Sequence, residues 1–227
     1  MLAYKSSGSS GVGSYFSVIM LRLTWMFFQV WRDKSTSHFL QDGTFCQRPH
    51  RMISIRLASD RDYDCLPAIE ADAGRLFHEF GLPSIASMEP MPADYYRNLP
   101  QKSAVFVALR GSEHIGFAVG IAMDGQGYLK EVSVKRLFAG QGVGRRLVEC
   151  VMTWAQSASF RYLALTTFRD LPFNAAFYTK LGFHEFIPDH NWPTLQNIRA
   201  HEQTSGVEIQ PRVAMRLDLR NQMDLGV

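Results

Sequence analysis

Residues 129–148 read LKEVSVKRLFAGQGVGRRLV, and this stretch carries the clearest structural pattern in the chain. Its first six residues are typical of a strand, and a glycine-rich loop follows at Gly140–Gly144. After the loop, apolar residues recur at helical spacing, at Val143, Leu147, Val151, Trp154 and Ala158. Backbone N–H groups at the start of a helix can converge on an anion, and the helix dipole adds about half a positive charge there. The stretch therefore predicts a phosphate or pyrophosphate site between a strand and an amphipathic helix.

The spacing of the glycines excludes two common nucleotide-binding loops. The Walker loop requires G-x-x-x-x-G-K-[ST], but Arg145 and Arg146 follow Gly144, with no Ser or Thr to hold magnesium. The dinucleotide fingerprint requires G-x-G-x-x-G, but Arg-Arg-Leu follows Gly144. Taken by itself, the loop could also be a tight turn without a ligand. The strand and the helix around it favour an anion site that is neither a Walker loop nor a dinucleotide-binding loop.

Outside this stretch, strands and helices alternate as in one mixed α/β domain. Apolar alternation and turn sequences predict strands at residues 53–57, 104–108, 114–122, 128–134, 163–168 and 213–219. Apolar residues three or four apart predict a first helix over residues 66–80, with Pro67 near its start. Its N-cap candidates are Asp60, Asp62 and Asp64. A short second helix is predicted at residues 92–98.

A second motif follows the strand at residues 163–168. Asn174 and Tyr178 are four residues apart and so share one face of a helix, and Gly182-Phe183 opens the next strand. Together the two motifs resemble the GNAT superfamily of N-acetyltransferases, which move an acetyl group from acetyl-CoA to an amine. The family's loop, Gln/Arg-x-x-Gly-x-Gly/Ala, aligns with residues 139–144, where Ala139 replaces the leading Gln or Arg. The resemblance covers residues 53–219.

The resemblance implies a mixed, mostly antiparallel central sheet with flanking helices and splayed central strands. It also implies acetyl-CoA as co-substrate, with no metal. The backbone N–H groups of five loop residues would hold the CoA pyrophosphate: Gln141, Gly142, Val143, Gly144 and Arg145. Val132 and Val134 would pair with the pantetheine arm through their backbones, and Asn174 would contact the cofactor.

Two residues are candidates for proton transfer. An amine acceptor is mostly protonated at neutral pH, so its acetylation needs a base. Glu131 lies just before the loop, where many members of the family carry a glutamate that takes the proton directly or through water. Its apolar neighbours imply partial burial, which would raise the pKa of its carboxyl group; an ordinary solvent-facing Glu is the alternative. Tyr178 would donate a proton to the departing thiolate, and a packing role is its alternative.

The acceptor side is less clearly marked in the sequence. By resemblance it is formed by the first helix and the loop after it, which makes Phe77 and His78 candidate acceptor-binding residues. Phe173, in the loop after the strand at residues 163–168, is a candidate for the opposite wall. Simple packing is the alternative for all three. The histidines lack metal-ligand spacing, and the acceptor itself is not specified.

Composition favours an ordinary globular protein. The chain has 227 residues, of which 46% are hydrophobic and 20% charged. This excludes disorder or a coiled coil as a description of the whole chain. The net charge of +3 is uneven: residues 1–51 carry +4 and residues 52–227 carry −1, so no nucleic-acid surface is expected on the main body. Three widely spaced cysteines indicate neither a disulfide framework nor a zinc site, which favours a reducing, cytoplasmic compartment.

The first fifty residues differ from the rest. Residues 4–14 are mostly Ser and Gly, and Tyr15–Trp31 is apolar but interrupted by Arg22, Thr24 and Gln29. A charge at the centre of a spanning helix is costly, so we do not expect a membrane anchor. We treat residues 1–51 as a disordered or non-native appendage and residues 52–227 as the GNAT-like domain.

The sequence leaves two classes of function open. The first is an acetyl-CoA-dependent N-acetyltransferase that moves an acetyl group directly to a primary amine of a small molecule or peptide. The second is a catalytically silent acyl-CoA-binding or sensing module, and retention of Glu131 and Tyr178 favours the first. A membrane-attached form using Tyr15–Trp31 is a weaker alternative. Oligomeric state is open, although a homodimer is common in the family.

Overall fold

A seven-stranded sheet forms the centre of the computed structural model, which describes residues 53–171, 174–204 and 211–220. Its strands are β1 (Ile53–Leu57), β2 (Ala104–Arg110), β3 (Glu113–Met123), β4 (Gln126–Val134), β5 (Tyr162–Phe168), β6 (His184–Phe186) and β7 (Arg212–Asp218). They are ordered β1-β2-β3-β4-β5-β7-β6 across the sheet. Only the pair β4 and β5 is parallel among these strands. This confirms the expected mixed, mostly antiparallel fold.

Six α-helices flank the sheet within the described ranges: α1 (Leu66–Gly74), α2 (Pro83–Ala86), α3 (Ala93–Arg97), α4 (Val143–Ser157), α5 (Ala175–Thr179) and α6 (Pro193–Thr204). The prediction of one helix over residues 66–80 is wrong in its second half, because Arg75–Phe80 forms a 3₁₀ helix. The aspartates do not cap α1 either: the N-cap is Cys65, and they lie in the 3₁₀ helix Asp60–Cys65. Pro67 sits in the first turn of α1, where its missing N–H costs nothing. The appendage predicted at residues 1–51 lies outside the described residues.

The central strands β4 and β5 separate soon after they meet. They pair only at Gly127 with Leu163 and at Tyr128 with Ala164. Farther along, residues 129–134 of β4 pair with β3, and residues 165–168 of β5 pair with β7. The facing edges of β4 and β5 thus lack each other as hydrogen-bond partners beyond this point. A ligand with amide groups can use such an edge as a further strand would, and the expected splay of the central strands is confirmed.

A bulge interrupts β4 at the same level. Glu131 is opposite Val119 and Leu129 is opposite Gly120, so Lys130 is an extra residue in the register. A bulge bends the strand and redirects its side chains. Here it places Lys130 and Glu131 next to each other in the middle of the sheet.

One sheet face, called the α4 face below, is covered by α4 and α5 and holds a continuous apolar core. Val132 and Val134 of β4 belong to this core, together with Leu147 and Val151 of α4. Gly120 of β3 allows α4 to approach closely, since a Cβ there would lie 2.6 Å from the ring of Trp154. Close packing on this face therefore fixes the position of α4, which carries the glycine-rich loop at its start.

The opposite face, called the α1 face, is covered by α1, α2, α3 and α6. Its apolar residues form three separate clusters rather than one. Leu66 and Val119 mark the first, Phe77 and Phe168 the second, and Tyr128 and Trp192 the third. Buried charged residues on this face include Glu70, Lys130, Glu131, Glu202 and Arg212. The α1 face is thus the polar half of the interior.

A buried carboxylate ties the first strand to the sheet. Asp62 is 3% exposed and accepts hydrogen bonds from Arg56 of β1 at 2.7 and 2.8 Å. The backbone N–H and hydroxyl of Ser59 each donate to it at 2.6 Å, and Nε2 of His114 on β3 lies 2.6 Å away. These contacts, chiefly with Arg56, hold the pKa of Asp62 well below its usual range.

We expect Asp62→Asn to lower the free energy of unfolding by about 2 to 3 kcal/mol at neutral pH, because a buried charge partner is removed from Arg56. The folded-state pKa of Asp62 lies below its unfolded value, so the carboxylate stabilises the fold above the usual aspartate range, and this stability is lost as the pH falls. Urea denaturation should therefore show the full deficit of the variant at about pH 7 and a smaller one at about pH 3, where the unfolded chain already binds the proton while the folded chain does not.

The matched control is Asp60→Asn, because the Asp60 side chain is 85% exposed and pairs with Arg97 at 3.3 Å. Its effect should stay within about 0.5 kcal/mol. An equal deficit for Asp62→Asn at both pH values would contradict the role given to the charge.

Candidate active site

The glycine-rich loop has the backbone geometry of an anion cradle. Gly142 is the N-cap of α4 and has φ +78°, a left-handed conformation that favours glycine. A Cβ on Gly142 would find no atom within 4 Å, so the space beside the loop is open. The first intrahelical bond of α4 runs from the N–H of Arg146 to the carbonyl of Gly142. The preceding N–H groups, at Val143–Arg145, have no acceptor within the helix.

The charge at the start of α4 has the sign that suits an anion. Its first turn holds no acidic residue, while Arg145 and Arg146 lie in it. Positive side chains at a helix N-terminus are disfavoured by the helix dipole, and a bound anion offsets this. Arg145 is exposed and pairs with Glu149 at 2.8 Å, whereas Arg146 donates to the carbonyl of Ile53. Arg145 is therefore the more accessible of the two cations.

Asn174 is the N-cap of α5 and Tyr178 lies within this helix, as their spacing predicts. Asn174 is fully buried, and neither its Oδ1 nor its Nδ2 has a hydrogen-bond partner within the described part of the chain. A buried amide without partners costs about 1 to 3 kcal/mol, so this side chain is suited to a ligand. Tyr178 is 1% exposed, and its ring packs edge-on against Phe177 and Phe183. Both residues belong to the helix that follows β5 along the chain and to its N-cap.

Glu131 is buried on β4, which agrees with the burial expected from its neighbours. Its side chain is on the α1 face, while the next residue, Val132, packs on the α4 face. The hydroxyl of Ser133 donates to Oε1 of Glu131 at 2.7 Å. The carboxylate of Glu131 also acts on Tyr95 and Tyr96, whose pKa values are raised chiefly by burial and further by this charge. Glu131 is thus an interior carboxylate, and not a residue on a solvent-facing strand.

Several polar residues beside Glu131 were missed by the sequence reasoning. Glu70 of α1 is 3% exposed and accepts hydrogen bonds from the N–H of Met91 at 2.9 Å and the hydroxyl of Tyr96 at 2.6 Å. Lys130 is 5% exposed, and its Nζ lies 5.6 Å from the centre of the Tyr95 ring. The position of Glu70 four residues after Leu66, on the apolar side of α1, was a usable signal. The sequence gives no signal for Lys130, because strict alternation along a strand would place its side chain on the face of the sheet opposite to that of Glu131.

The candidate acceptor-binding residues differ in how deeply they are buried. Phe77 is 2% exposed and packs edge-on against Phe168, with ring centres 5.9 Å apart. The side chain of His78 is exposed. Phe173 lies outside the described residues. Phe77 therefore contacts the end of β5.

The described ranges hold neither a candidate metal site nor a candidate membrane span. Residues 53–171, 174–204 and 211–220 contain no group of His, Cys, Asp and Glu arranged to hold a metal ion. In the same ranges, no helix has the length and apolar character needed to cross a membrane. Cys65 and Cys150 are free thiols.

Comparison with known proteins agrees with these features. Residues 74–183 match the model of the acetyltransferase (GNAT) family. The matched range contains β4, the glycine-rich loop, α4 and the Asn174/Tyr178 motif. The resemblance drawn from the two motifs is confirmed.

Solved structures share the fold at low sequence identity. The ribosomal-protein-S18-alanine N-acetyltransferase from Escherichia coli is 18% identical, with a TM-score of 0.52 over 74% of this chain and 94% of that one. A Bacillus anthracis protein proposed to be a streptothricin acetyltransferase, solved with acetyl coenzyme A, is 18% identical, with a TM-score of 0.50 over 74% and 98% of the chains. A Mycobacterium tuberculosis protein in complex with CoA is 15% identical, with a TM-score of 0.52 over 73% and 98%.

The loop geometry makes Gly142→Asp and Gly142→Asn a matched pair of variants. Asp and Asn have nearly the same shape and both tolerate the left-handed conformation, so they differ mainly in charge. If the loop holds a pyrophosphate, Gly142→Asp should weaken CoA binding at least about 100-fold, and Gly142→Asn far less. Isothermal titration calorimetry with CoA measures both.

Gly125→Asp serves as a control, since Gly125 has φ +71° and open space in the turn between β3 and β4. Equal affinities for the Asp and Asn variants at position 142 would remove the loop from the anion site.

Proposed function

Because residues 74–183 match the model of the acetyltransferase (GNAT) family, we propose that this protein transfers an acetyl group from acetyl-CoA directly to a primary amine. The observation that carries the proposal is the splay of β4 from β5 beside the N-terminus of α4. An open strand edge and an anion cradle lie next to each other there. This combination suits a ligand with amide groups at one end and a pyrophosphate at the other.

The residues present fit acetyl-CoA. The N–H groups of Gln141–Arg145 would hold the pyrophosphate, and the exposed Arg145 adds positive charge. The backbones of Val132 and Val134 would meet the pantetheine amides along the open edge of β4. The buried amide of Asn174, which has no hydrogen-bond partner among the described residues, would gain hydrogen bonds from the cofactor. Acetyl-CoA supplies an activated thioester when bound, so the chain itself needs no covalent intermediate.

In this proposal Glu131 takes the proton from the incoming ammonium group. It is buried on the α1 face, with Ser133 fixing the orientation of its carboxylate. The N–H of Val132, next to the bulge, would polarise the thioester carbonyl. Tyr178 would donate a proton to the sulfur of CoA as it leaves. The two proton-transfer groups come from opposite faces of the sheet, which is consistent with an acceptor and a cofactor that approach from different sides.

A silent CoA-binding module is the competing function. It would use the same loop and strand edge, and it differs only in having no role for Glu131 or Tyr178 in turnover. The retained buried carboxylate favours the enzyme, because burying a carboxylate is costly and a role in proton transfer would account for it. Release of free CoA in the presence of an amine distinguishes the two functions.

We expect Glu131→Gln to lower kcat about 100-fold or more while leaving acetyl-CoA affinity unchanged. Gln keeps the size of the side chain and an oxygen that can accept from Ser133, so the change removes mainly the base. The loss should be largest where the Glu131 carboxylate is ionised and the acceptor amine is still protonated, and it should shrink at high pH, where the amine is already free. The measurement is thiol release at several pH values, together with titration of acetyl-CoA.

Glu113→Gln, on the exposed hairpin between β2 and β3, is the control and should retain wild-type turnover. Unchanged turnover in Glu131→Gln would remove the base role of Glu131. Absence of thiol release from the wild type, despite acetyl-CoA binding, would favour the silent module.

A further inference from the structure

The buried charges of this protein are concentrated on the α1 face, where the acceptor would bind. The core on the α4 face is continuous and apolar. On the α1 face the apolar residues fall into three clusters, and the buried charged residues Glu70, Lys130 and Glu131 lie on the two elements, α1 and β4, that meet there. Burying a charge is costly unless a partner compensates it. Charges kept at such a place are suited to a charged ligand.

Two buried carboxylates of the α1 face, Glu202 and Glu70, connect elements other than β4. Glu202 of α6 is paired with Arg212 at 2.8 Å and with Arg199, so it belongs to a network between α6 and β7. Glu70 accepts from Met91 and Tyr96, which ties α1 to the region of α3. Neither lies on β4, the strand of the proposed base. The charges on β4 itself are Lys130 and Glu131.

The bulge makes Lys130 and Glu131 a fixed pair of opposite charges. Both side chains lie beside Tyr95: Nζ of Lys130 is 5.6 Å from its ring centre, and Glu131 acts on the Tyr95 hydroxyl. Lys130 is 5% exposed and Glu131 is 8% exposed. Burial lowers the pKa of Lys130 to about 8, against the opposing effect of Glu131. Because Lys130 is buried beside Glu131 and Tyr95, an anion placed next to its ammonium group would offset part of the cost of burying this charge.

We propose that Lys130 determines acceptor specificity by binding a carboxylate next to the reacting amine, so that the acceptor is a free amino acid or a similar zwitterion. This inference rests on the proposed function, since it places the amine at Glu131. The adjacent opposite charges of β4 match the adjacent ammonium and carboxylate of an amino acid. A polyamine would bring a second ammonium group to Lys130 and be repelled.

The experiment compares matched acceptors with the full chain at saturating acetyl-CoA. Each L-amino acid is paired with its carboxamide, which keeps the amine and side chain but lacks the anionic group, and spermidine represents the polyamines. We expect kcat/KM in the wild type to favour the best amino acid over its amide by at least about 10-fold. Thiol release gives both kcat and KM.

Lys130→Met keeps the length of the side chain and removes its charge. The preference for the carboxylate should fall to within about twofold, through a higher KM for the amino acid and not a lower kcat. Lys130→Arg should keep most of the preference, because it keeps the charge. Lys102→Met, at an exposed position between α3 and β2, is the matched control and should behave as the wild type.

Folding and cofactor binding are checked by the melting temperature of each variant with and without acetyl-CoA. The inference is overturned if the wild type prefers amides or spermidine, if it acetylates no member of either series while binding acetyl-CoA, or if Lys130→Met keeps the preference. Failure of the wild type to bind acetyl-CoA would overturn the proposed function, and the inference with it.

Discussion

The separation of β4 from β5 is the constraint on which the other features of this molecule depend. Two parallel strands that pair for only two residues leave backbone hydrogen-bonding groups in the interior. Buried backbone groups of this kind need partners. The fold can accept the gap because each strand is held from its other side, β4 by β3 and β5 by β7. The fold also tolerates the gap because α4 packs over the sheet against Gly120 and keeps the glycine-rich loop beside the end of β4.

The bulge in β4 gives the gap its chemistry. If β4 alternated regularly back from Val132, Lys130 would point to the apolar α4 face, where its charge could not be tolerated. With the bulge, Lys130 and Glu131 share the α1 face beside Tyr95. Asp72 of α1 accepts a hydrogen bond from the N–H of Arg136, just after β4, at 2.8 Å. The helix that covers the charged pair is thereby linked to the segment that leads into the anion cradle.

Local sequence signals were sufficient for most of the sheet and for the anion cradle. Alternation gave β1 and the two hairpins, and the spacing of apolar residues gave α4, because these elements bury one regular face. The helix predicted over residues 66–80 was wrong after Gly74, since the apolar spacing persists while the backbone tightens to a 3₁₀ helix.

Helix α6 was not predicted. Its first N–H groups, at Thr194 and Leu195, are capped by Asp124, about 70 residues away, which no local pattern reveals. The bulge in β4 could not be predicted from the local sequence either, because it depends on the register of β4 with β3. Thus Glu131 and Asn174 could be proposed from motifs, whereas Lys130, Glu70 and Tyr95 required the folded sheet.

The measurement that tests this account most directly is backbone hydrogen exchange of the full chain with and without acetyl-CoA, read by mass spectrometry of overlapping peptides. Binding along the open edge of β4 and in the cradle should slow exchange in peptides covering residues 129–145. Residues 155–161, at the C-terminal end of α4, should not change, because they lie about 20 Å along the helix from the cradle. Protection confined to other segments, or no protection at all at saturating acetyl-CoA, would contradict the claim that the gap between β4 and β5 is the cofactor site.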